Sequence, residues 1–260
     1  MARRTRGTSP GRHPLSRELT GRVALVTGGA RRLGRAFALA LADRGMHLAV
    51  HHGHSAAEAM DVVGLIESKG GTAAAFEADL TDADQAQRLP DRVAATFGRL
   101  DVLVNSAAVM ERIGVDAVSV EDWDAQMDLN LRAPFLLAQQ AAPHLRRHGG
   151  TIVNIADLSG FEPWPNYPVH SVSKAGLVML TQVLAAALAP EITVNAIAPG
   201  TVLLPEDYDD ARRAFLAETT PLQRLGTPDD AVQALLYLVE QATFVTGETL
   251  VVDGGRLLRR

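Results

Sequence analysis

Arg22-Val23-Ala24-Leu25-Val26-Thr27-Gly28-Gly29-Ala30-Arg31-Arg32-Leu33-Gly34 sets the architecture of the chain. Arg22–Thr27 (RVALVT) is a short apolar, β-branched run, which reads as a buried strand ended by Gly28 and Gly29. A helical pattern follows from Leu33 to Arg44 and stops at Gly45. A glycine turn between a strand and a helix is suited to a dinucleotide, because backbone N–H groups and the helix start can hold a pyrophosphate. An ordinary tight turn is the plainer alternative. Two guanidinium groups in the loop suit an additional phosphate, which makes Gly28, Arg31, Arg32, Leu33 and Gly34 the first nucleotide-binding candidates.

Outward from this turn, strands and helices alternate. Strands are expected at His47–His51, Thr72–Phe76, Asp101–Asn105, Thr151–Ile155, Ile192–Ala196 and Leu250–Val252. Helices are expected at Ser55–Ser68 behind a Ser cap, Asp82–Phe97, about Val120 to Arg147 with a bend at Pro134, and Pro168–Leu188. Thr201–Pro221 reads as a mobile helical lid. This alternation predicts an α/β fold: a single doubly wound, Rossmann-type domain with a mostly parallel sheet of about seven strands. Ligands of such sheets sit beyond the carboxyl ends of the strands, where the informative residues of this sequence cluster.

The chain has 260 residues, 47% hydrophobic and 21% charged, a balance of an ordinary globular protein. No uninterrupted apolar run approaches the roughly 18 residues of a membrane span, so no membrane partner is expected. The absence of cysteine removes disulfides, thiolate metal sites and a cysteine nucleophile, and no metal site is expected. Nothing requires an oxidising compartment, and a cytoplasmic location is expected. The net charge is −5, but residues 1–22 carry six arginines against Glu18 alone, a local +5, leaving about −10 elsewhere. That acidic remainder argues against a nucleic-acid partner. Residues 1–20 read as a disordered basic tail and 21–260 as the nucleotide-binding domain, with an anion-binding arm as the alternative for the tail. Only two of the 25 basic residues are lysines, Lys69 and Lys174. Lys69 precedes a Gly-Gly pair, as at a helix end, whereas Lys174 hints at a place where a compact amine matters.

The second strand ends in His51-His52-Gly53-His54-Ser55, without the acid that binds the ribose 2′-hydroxyl in NAD-preferring enzymes. The stretch offers donors to a 2′-phosphate, so His54 and Ser55 join the candidates and NADP(H) is the expected cofactor. Asp79 and Leu80 follow the third strand, where Asp79 either accepts from the adenine amino group or caps a helix. Asn105, at the end of the fourth strand, either orders the backbone near the ribose or closes a turn.

On these residues the chain resembles the short-chain dehydrogenase/reductase family over about Gly21–Gly255. The resemblance rests on the Thr27–Gly34 loop, Asn105-Ser106-Ala107-Ala108, Asn130, Lys174, Pro199-Gly200, Val245-Thr246-Gly247 and Val252-Asp253-Gly254-Gly255. It is most similar to the pteridine-reductase-like branch, through Arg32 at the second loop glycine, the Ser55–Ala59 helix start, and Asp157 where most relatives have Ser. The resemblance implies a Tyr-x-x-x-Lys pair, whose Tyr protonates the product while the Lys lowers its pKa and binds the nicotinamide ribose. Here His170 stands four residues before Lys174, and Asp157 lies thirteen before His170, so the register matches and the Tyr is replaced. His170 acting itself or through Asp157 or water, Tyr167 acting one turn away, and loss of reductase activity with nucleotide binding retained are the three alternatives.

The resemblance further implies that Asn130 supports a proton-relay water, and that Pro199, Gly200 and Val202 cover the nicotinamide. A pterin-binding aromatic is absent after the fourth strand. Met110 stands near its place, and Phe161, Trp164 and Tyr167 offer an alternative wall. Reduction of a small carbonyl or pterin-like C=O or C=N bond is the expected chemistry, with a catalytically silent nucleotide-binding sensor or subunit as the alternative. A homodimer or homotetramer through Val120–Arg147 and Pro168–Leu188 is implied as well.

Overall fold

Seven parallel strands form one sheet in the order β3-β2-β1-β4-β5-β6-β7 in the computed structural model, which describes residues 16–204 and 208–258. In chain order the elements are β1 (Val23–Val26), α1 (Arg32–Ala42), β2 (His47–His52), α2 (Ala56–Ser68), β3 (Ala73–Glu77), α3 (Ala83–Phe97) and β4 (Val102–Asn105). The second half contains α4 (Val120–Met127), α5 (Ala133–Arg146), β5 (Thr151–Ile155), α6 (Pro168–Leu188), β6 (Thr193–Pro199), α7 (Asp210–Glu218), α8 (Pro228–Leu236) and β7 (Thr249–Val252). The predicted doubly wound domain is therefore the observed one. Its chain reverses direction across the sheet at β1, which lies between β2 and β4. That reversal opens a crevice at the carboxyl ends of these strands.

Strands buried on both faces need apolar residues throughout, and β1 and β5 are buried along their whole length. One core layer packs Phe37, Leu41, Leu48, Val50, Leu235 and Val239; the other packs Leu25, Leu89, Leu103, Leu137, Leu145 and Ile152. Each such side chain contributes about 1.5–3 kcal/mol by leaving water. Buried Asp101 ties the sheet to the preceding turn: it accepts from Val23 N at 2.9 Å and receives a bidentate Arg99 guanidinium at 2.7 Å.

Local chemistry places the helix ends. Asp82 caps α3 by accepting from Asp84 N and Gln85 N, and the helix stops at Gly98 in the left-handed conformation. Ser55 stands at the start of α2 without a capping bond, contrary to expectation. The single helix expected over Val120–Arg147 is three pieces, because a π-helical turn at Asp128–Arg132 separates α4 from α5. Pro134 lies in the first turn of α5, directly after the π turn. Helix α8 and the π turn after it, Tyr237–Gln241, are additions to the predicted elements.

The boundary of the folded unit moves earlier than residue 21. Leu19 is buried, and Arg17 donates to Thr151 Oγ1 at 2.8 Å and Thr193 Oγ1 at 3.3 Å, bridging the starts of β5 and β6. A guanidinium pinned on two strands and a leucine in the core are incompatible with a disordered segment at these positions. The rest of the expected tail, residues 1–15, lies outside the described residues. Of the expected lid, Asp210–Glu218 is helical. Among the described residues, α6 has the length and apolarity of a membrane span. Its buried face nevertheless carries His170, Ser173, Lys174 and Thr181 and packs on β6 within the domain.

Candidate active site

A cleft of about 630 Å³ runs along the carboxyl ends of the strands, within the roughly 300–1,000 Å³ of ligand pockets. At one end lie the turn after β1 and the start of α2; at the other lie the β5 end and the first turns of α6. Gly28, Arg31, Arg32, Leu33, Gly34, His54, Ser55, Asp79, Leu80, Pro199, Gly200 and Val202 line it, as do Met110, Asp157, His170 and Lys174. The sequence therefore locates most of the wall.

The turn after β1 is built for close approach. Gly28 has φ +62°, and any side chain at Gly34 would run into the Gly28 carbonyl, so α1 begins directly against the loop. Helix α1 starts without a side-chain cap and without an acidic residue in its first turn. Its leading N–H groups are thus left for an anion. Arg32 has φ +50°, a left-handed conformation that non-glycine residues rarely adopt. Arg31 is exposed and makes a loose ion pair with Glu58 at 3.5 Å.

His51 has a different role from the one its neighbours suggest. Its Nδ1 accepts from Gly28 N at 3.1 Å, and its Nε2 donates to Ala78 O at 3.0 Å. Burial pushes its pKa down to about 4, so the ring is neutral and clamps β1, β2 and β3 together. With both nitrogens engaged it has no donor to spare for a phosphate. The residue types of the stretch carry no sign of this; the pairing of Val26 with Val50, which sets His51 beside the glycine turn, explains it.

Asp79 is not a helix cap, since Asp82 fills that role. Its carboxylate accepts from Thr81 N at 2.9 Å and Thr81 Oγ1 at 2.7 Å, closing a local turn on the cleft wall; these bonds hold its pKa below the usual carboxylate value. Asn105 lies behind the cleft: its Nδ2 donates to Asn154 Oδ1 at 2.8 Å, linking β4 to β5 in the sheet interior.

At the other end, Lys174 is buried and donates from Nζ to Ile155 O at 2.7 Å. Burial pushes its pKa down to about 8, against the pull of Asp157. His170 Nδ1 lies 3.2 Å from Val109 O, and its Nε2 is buried and unpartnered, 4.0 Å from Asp157 Oδ1. Burial first and Lys174 second lower the imidazole pKa, opposed by Asp157. Asn130 does not reach the cleft. It clamps Val109, with Oδ1 accepting from Val109 N and Nδ2 donating to Val109 O, both at 2.9 Å, and it donates to Ser173 Oγ at 3.1 Å. Its place on the π turn explains how one side chain grips a loop and α6 together.

Phe161, Trp164 and Tyr167 do not line the cleft. Trp164 and Tyr167 pack edge to face at 6.0 Å, and the indole N–H donates to Glu162 at 2.9 Å, so this segment satisfies itself beside the site. Among the described residues no cluster of three metal-ligating side chains occurs.

A doubly wound sheet with a glycine turn at its reversal, a cleft across the strand ends and a buried lysine at the far end defines a nucleotide-cleft α/β protein. Residues 28–256 match the family described as enoyl-(acyl carrier protein) reductase. The chain is 35% identical over 244 residues to a 3-oxoacyl-[acyl-carrier-protein] reductase of Synechocystis, covering 92% of this chain and 98% of the relative. It is also 35% identical over 249 residues to 3beta-hydroxysteroid dehydrogenase 1 of Eggerthella lenta, covering 93% and 95% respectively. A solved structure of a blue fluorescent protein from a metagenomic library, in complex with NADPH, superposes with a TM-score of 0.86 at 31% identity, covering 92% of this chain and 99% of that one. The chain belongs to the short-chain dehydrogenase/reductase family, whose members are oxidoreductases using nicotinamide cofactors.

Proposed function

We propose that the chain is an NADP(H)-dependent oxidoreductase that interconverts a carbonyl and a hydroxyl group. The observation that carries this reading is the single cleft that joins Arg31, Arg32 and His54 at one end to Asp157, His170 and Lys174 at the other. The residues fit a dinucleotide: the uncapped start of α1 and the Gly28–Gly34 approach suit a pyrophosphate, and Arg31, Arg32 and His54 on the rim, with no acid at the end of β2, suit a 2′-phosphate. Lys174 would bind the nicotinamide ribose, with Pro199, Gly200 and Val202 beside the ring. When bound, the nucleotide supplies or takes up the hydride.

The chain's own residues handle the proton. His170 offers a buried nitrogen at the reacting end, Lys174 a positive charge, and Asp157 a carboxylate that balances both. A pterin is the less supported substrate, because the aromatic wall it would use lies outside the cleft and Met110 is the flat-ring partner that remains. A second copy of the chain is the proposed partner, through the outer faces of α4, α5 and α6.

Fluorescence titration with NADPH and NADH, followed by a carbonyl and pterin panel in the same cuvette, tests this. NADPH is expected to bind at least about tenfold more tightly, since charge-assisted hydrogen bonds to a phosphate are worth about 1.5–3 kcal/mol. Carbonyl-dependent oxidation of NADPH is expected, and Lys174→Ala is expected to lower it at least about 100-fold. Tight binding without turnover on any panel member would instead support a catalytically silent protein.

A further inference from the structure

One short piece of backbone serves both ends of the cleft. The π turn at Asp128–Arg132 lies between α4 and α5, and its Leu129 lines the cleft. Two of its other side chains reach in different directions. Arg132 Nη2 donates to Thr81 O at 2.8 Å and is paired with Asp128 Oδ2 at 2.7 Å. Thr81 completes the Asp79 turn on the cleft wall after β3, beside β2, whose end leads to His54. Asn130 grips Val109 at both its N–H and its carbonyl and donates to Ser173 Oγ. Ser173 Oγ donates in turn to His170 O at 2.8 Å, and Val109 O lies 3.2 Å from His170 Nδ1. A chain of contacts thus runs from the Asp79–Thr81 wall to the imidazole at the reacting end.

The two halves of this chain differ in strength. Asn130 and Ser173 are buried, so water does not compete for their bonds. Arg132 is half-exposed, and a guanidinium held at the surface is readily released to water. A π turn is a local departure from the regular helical ladder, of a kind that recurs at functional sites. The Arg132 link is therefore the part that filling of the cleft can fix. Thr81 lines the cleft, so a ligand packed on the Asp79–Thr81 wall steadies the carbonyl that Arg132 binds.

We propose that Arg132 is a positioning residue that couples the two ends of the cleft: the adenosine half of a nucleotide on the Asp79–Thr81 wall fixes Arg132 on Thr81, and the π turn carries this to Asn130, Val109 and His170. The proposal rests on the nucleotide reading above, in which the rim of Arg31, Arg32 and His54 takes the adenosine 2′-phosphate and Lys174 the far ribose. The reacting end is thereby set before a substrate arrives, and a fragment without nicotinamide is enough to set it. Coupling between binding sites is reciprocal, so loosening the reacting end also weakens the fragment. Without the Arg132 link the two ends bind independently.

Adenosine 2′,5′-bisphosphate is the probe, because it fills the adenosine end and lacks both the nicotinamide and its ribose. Any response at the far end is then carried by the protein. Hydrogen exchange of the full chain, with and without the fragment, reads the Val109 N–H that Asn130 holds. The fragment is expected to slow that exchange at least about threefold in the wild type. Arg132→Met, which keeps the stem and removes the donors, is expected to abolish the slowing and to weaken the fragment, by calorimetry, about fivefold. Arg132→Lys, which can still donate to Thr81 O, is expected to restore part of both. Asp128→Asn, which keeps the guanidinium but frees it from its partner, is expected to reduce the slowing without abolishing it. A merely structural arginine would instead alter exchange equally with and without the fragment. Fragment binding that leaves Val109 unchanged, or equal slowing in Arg132→Met, would overturn the proposal and leave the nucleotide reading intact. Failure of the wild type to bind the fragment would overturn the proposal, and failure to bind NADPH as well would overturn that reading with it.

Discussion

His51 spends both ring nitrogens on the backbone around the glycine turn, and that arrangement holds only while the ring is neutral. A proton on Nδ1 would face the Gly28 N–H with a second donor and break the clamp. The folded-state pKa, about 4, is depressed from an ordinary 6.5, so the unfolded chain binds the proton first as pH falls. The sign follows directly. Above about pH 6.5 both states are neutral and the group has no effect on stability. Between about 6.5 and 4 stability is lost, approaching ~3 kcal/mol once both states are protonated. Denaturant midpoints measured from pH 7 to pH 4.5 should decline in the wild type, and His51→Asn should flatten that decline while lowering the midpoint at pH 7. An equal slope in both proteins would remove His51 as its cause.

At the scale of elements, the start of α1 shows one segment answering two demands. Arg32 occupies a left-handed backbone position suited to glycine, which costs about 1–3 kcal/mol in a folded chain, and it lines the cleft as an exposed residue. Arg32→Gly is expected to raise stability by about 1 kcal/mol and to weaken NADPH at least about tenfold, with NADH little changed. Thermal melting and nucleotide titration on the same preparation check both halves; a variant that gains stability and keeps its NADPH preference would refute the phosphate role. The strand–Gly-Gly–helix pattern made this element legible, because a buried run, a breaker and a 3.6-residue period are local properties. The α4–α5 break was not legible: the π turn at Asp128–Arg132 is held by Asn130 reaching Val109 and Ser173, contacts 21 and 43 residues away. For the same reason the sequence leaves Asn105 open between the ribose and a turn and sets His51 in a stretch of donors, whereas Asn105 bonds Asn154 within the sheet and His51 bonds the backbone of Gly28 and Ala78. A polar residue at a strand end looks identical in sequence whether it meets a ligand or a neighbouring strand.

Over the whole molecule, the helices that carry the site on their inner faces expose an apolar outer face. Asn130, His170, Ser173 and Lys174 face inward, whereas Trp123, Phe135, Val172, Met179 and Val183 are exposed on α4, α5 and α6. A groove of about 420 Å³ between α5 and α6 is lined by Met127, Leu131, Phe135, Met179, Leu180 and Val183. Large apolar side chains gathered on one surface gain about 1.5–3 kcal/mol each when covered, enough for a few of them to hold two copies together at micromolar concentration. An interface there would also brace α6 from behind, coupling assembly to the placement of His170 and Lys174. Met179 is the sharpest probe, because it is exposed and its neighbours Leu180 and Val183 share the groove. Sedimentation of the wild-type chain should show dimers or tetramers, and Met179→Asp should shift them to monomers while the circular dichroism of the domain is kept. If the substitution leaves the assembly intact, the interface lies on another face; if the wild type is already monomeric at micromolar concentration, α5 and α6 do not meet a second copy at all.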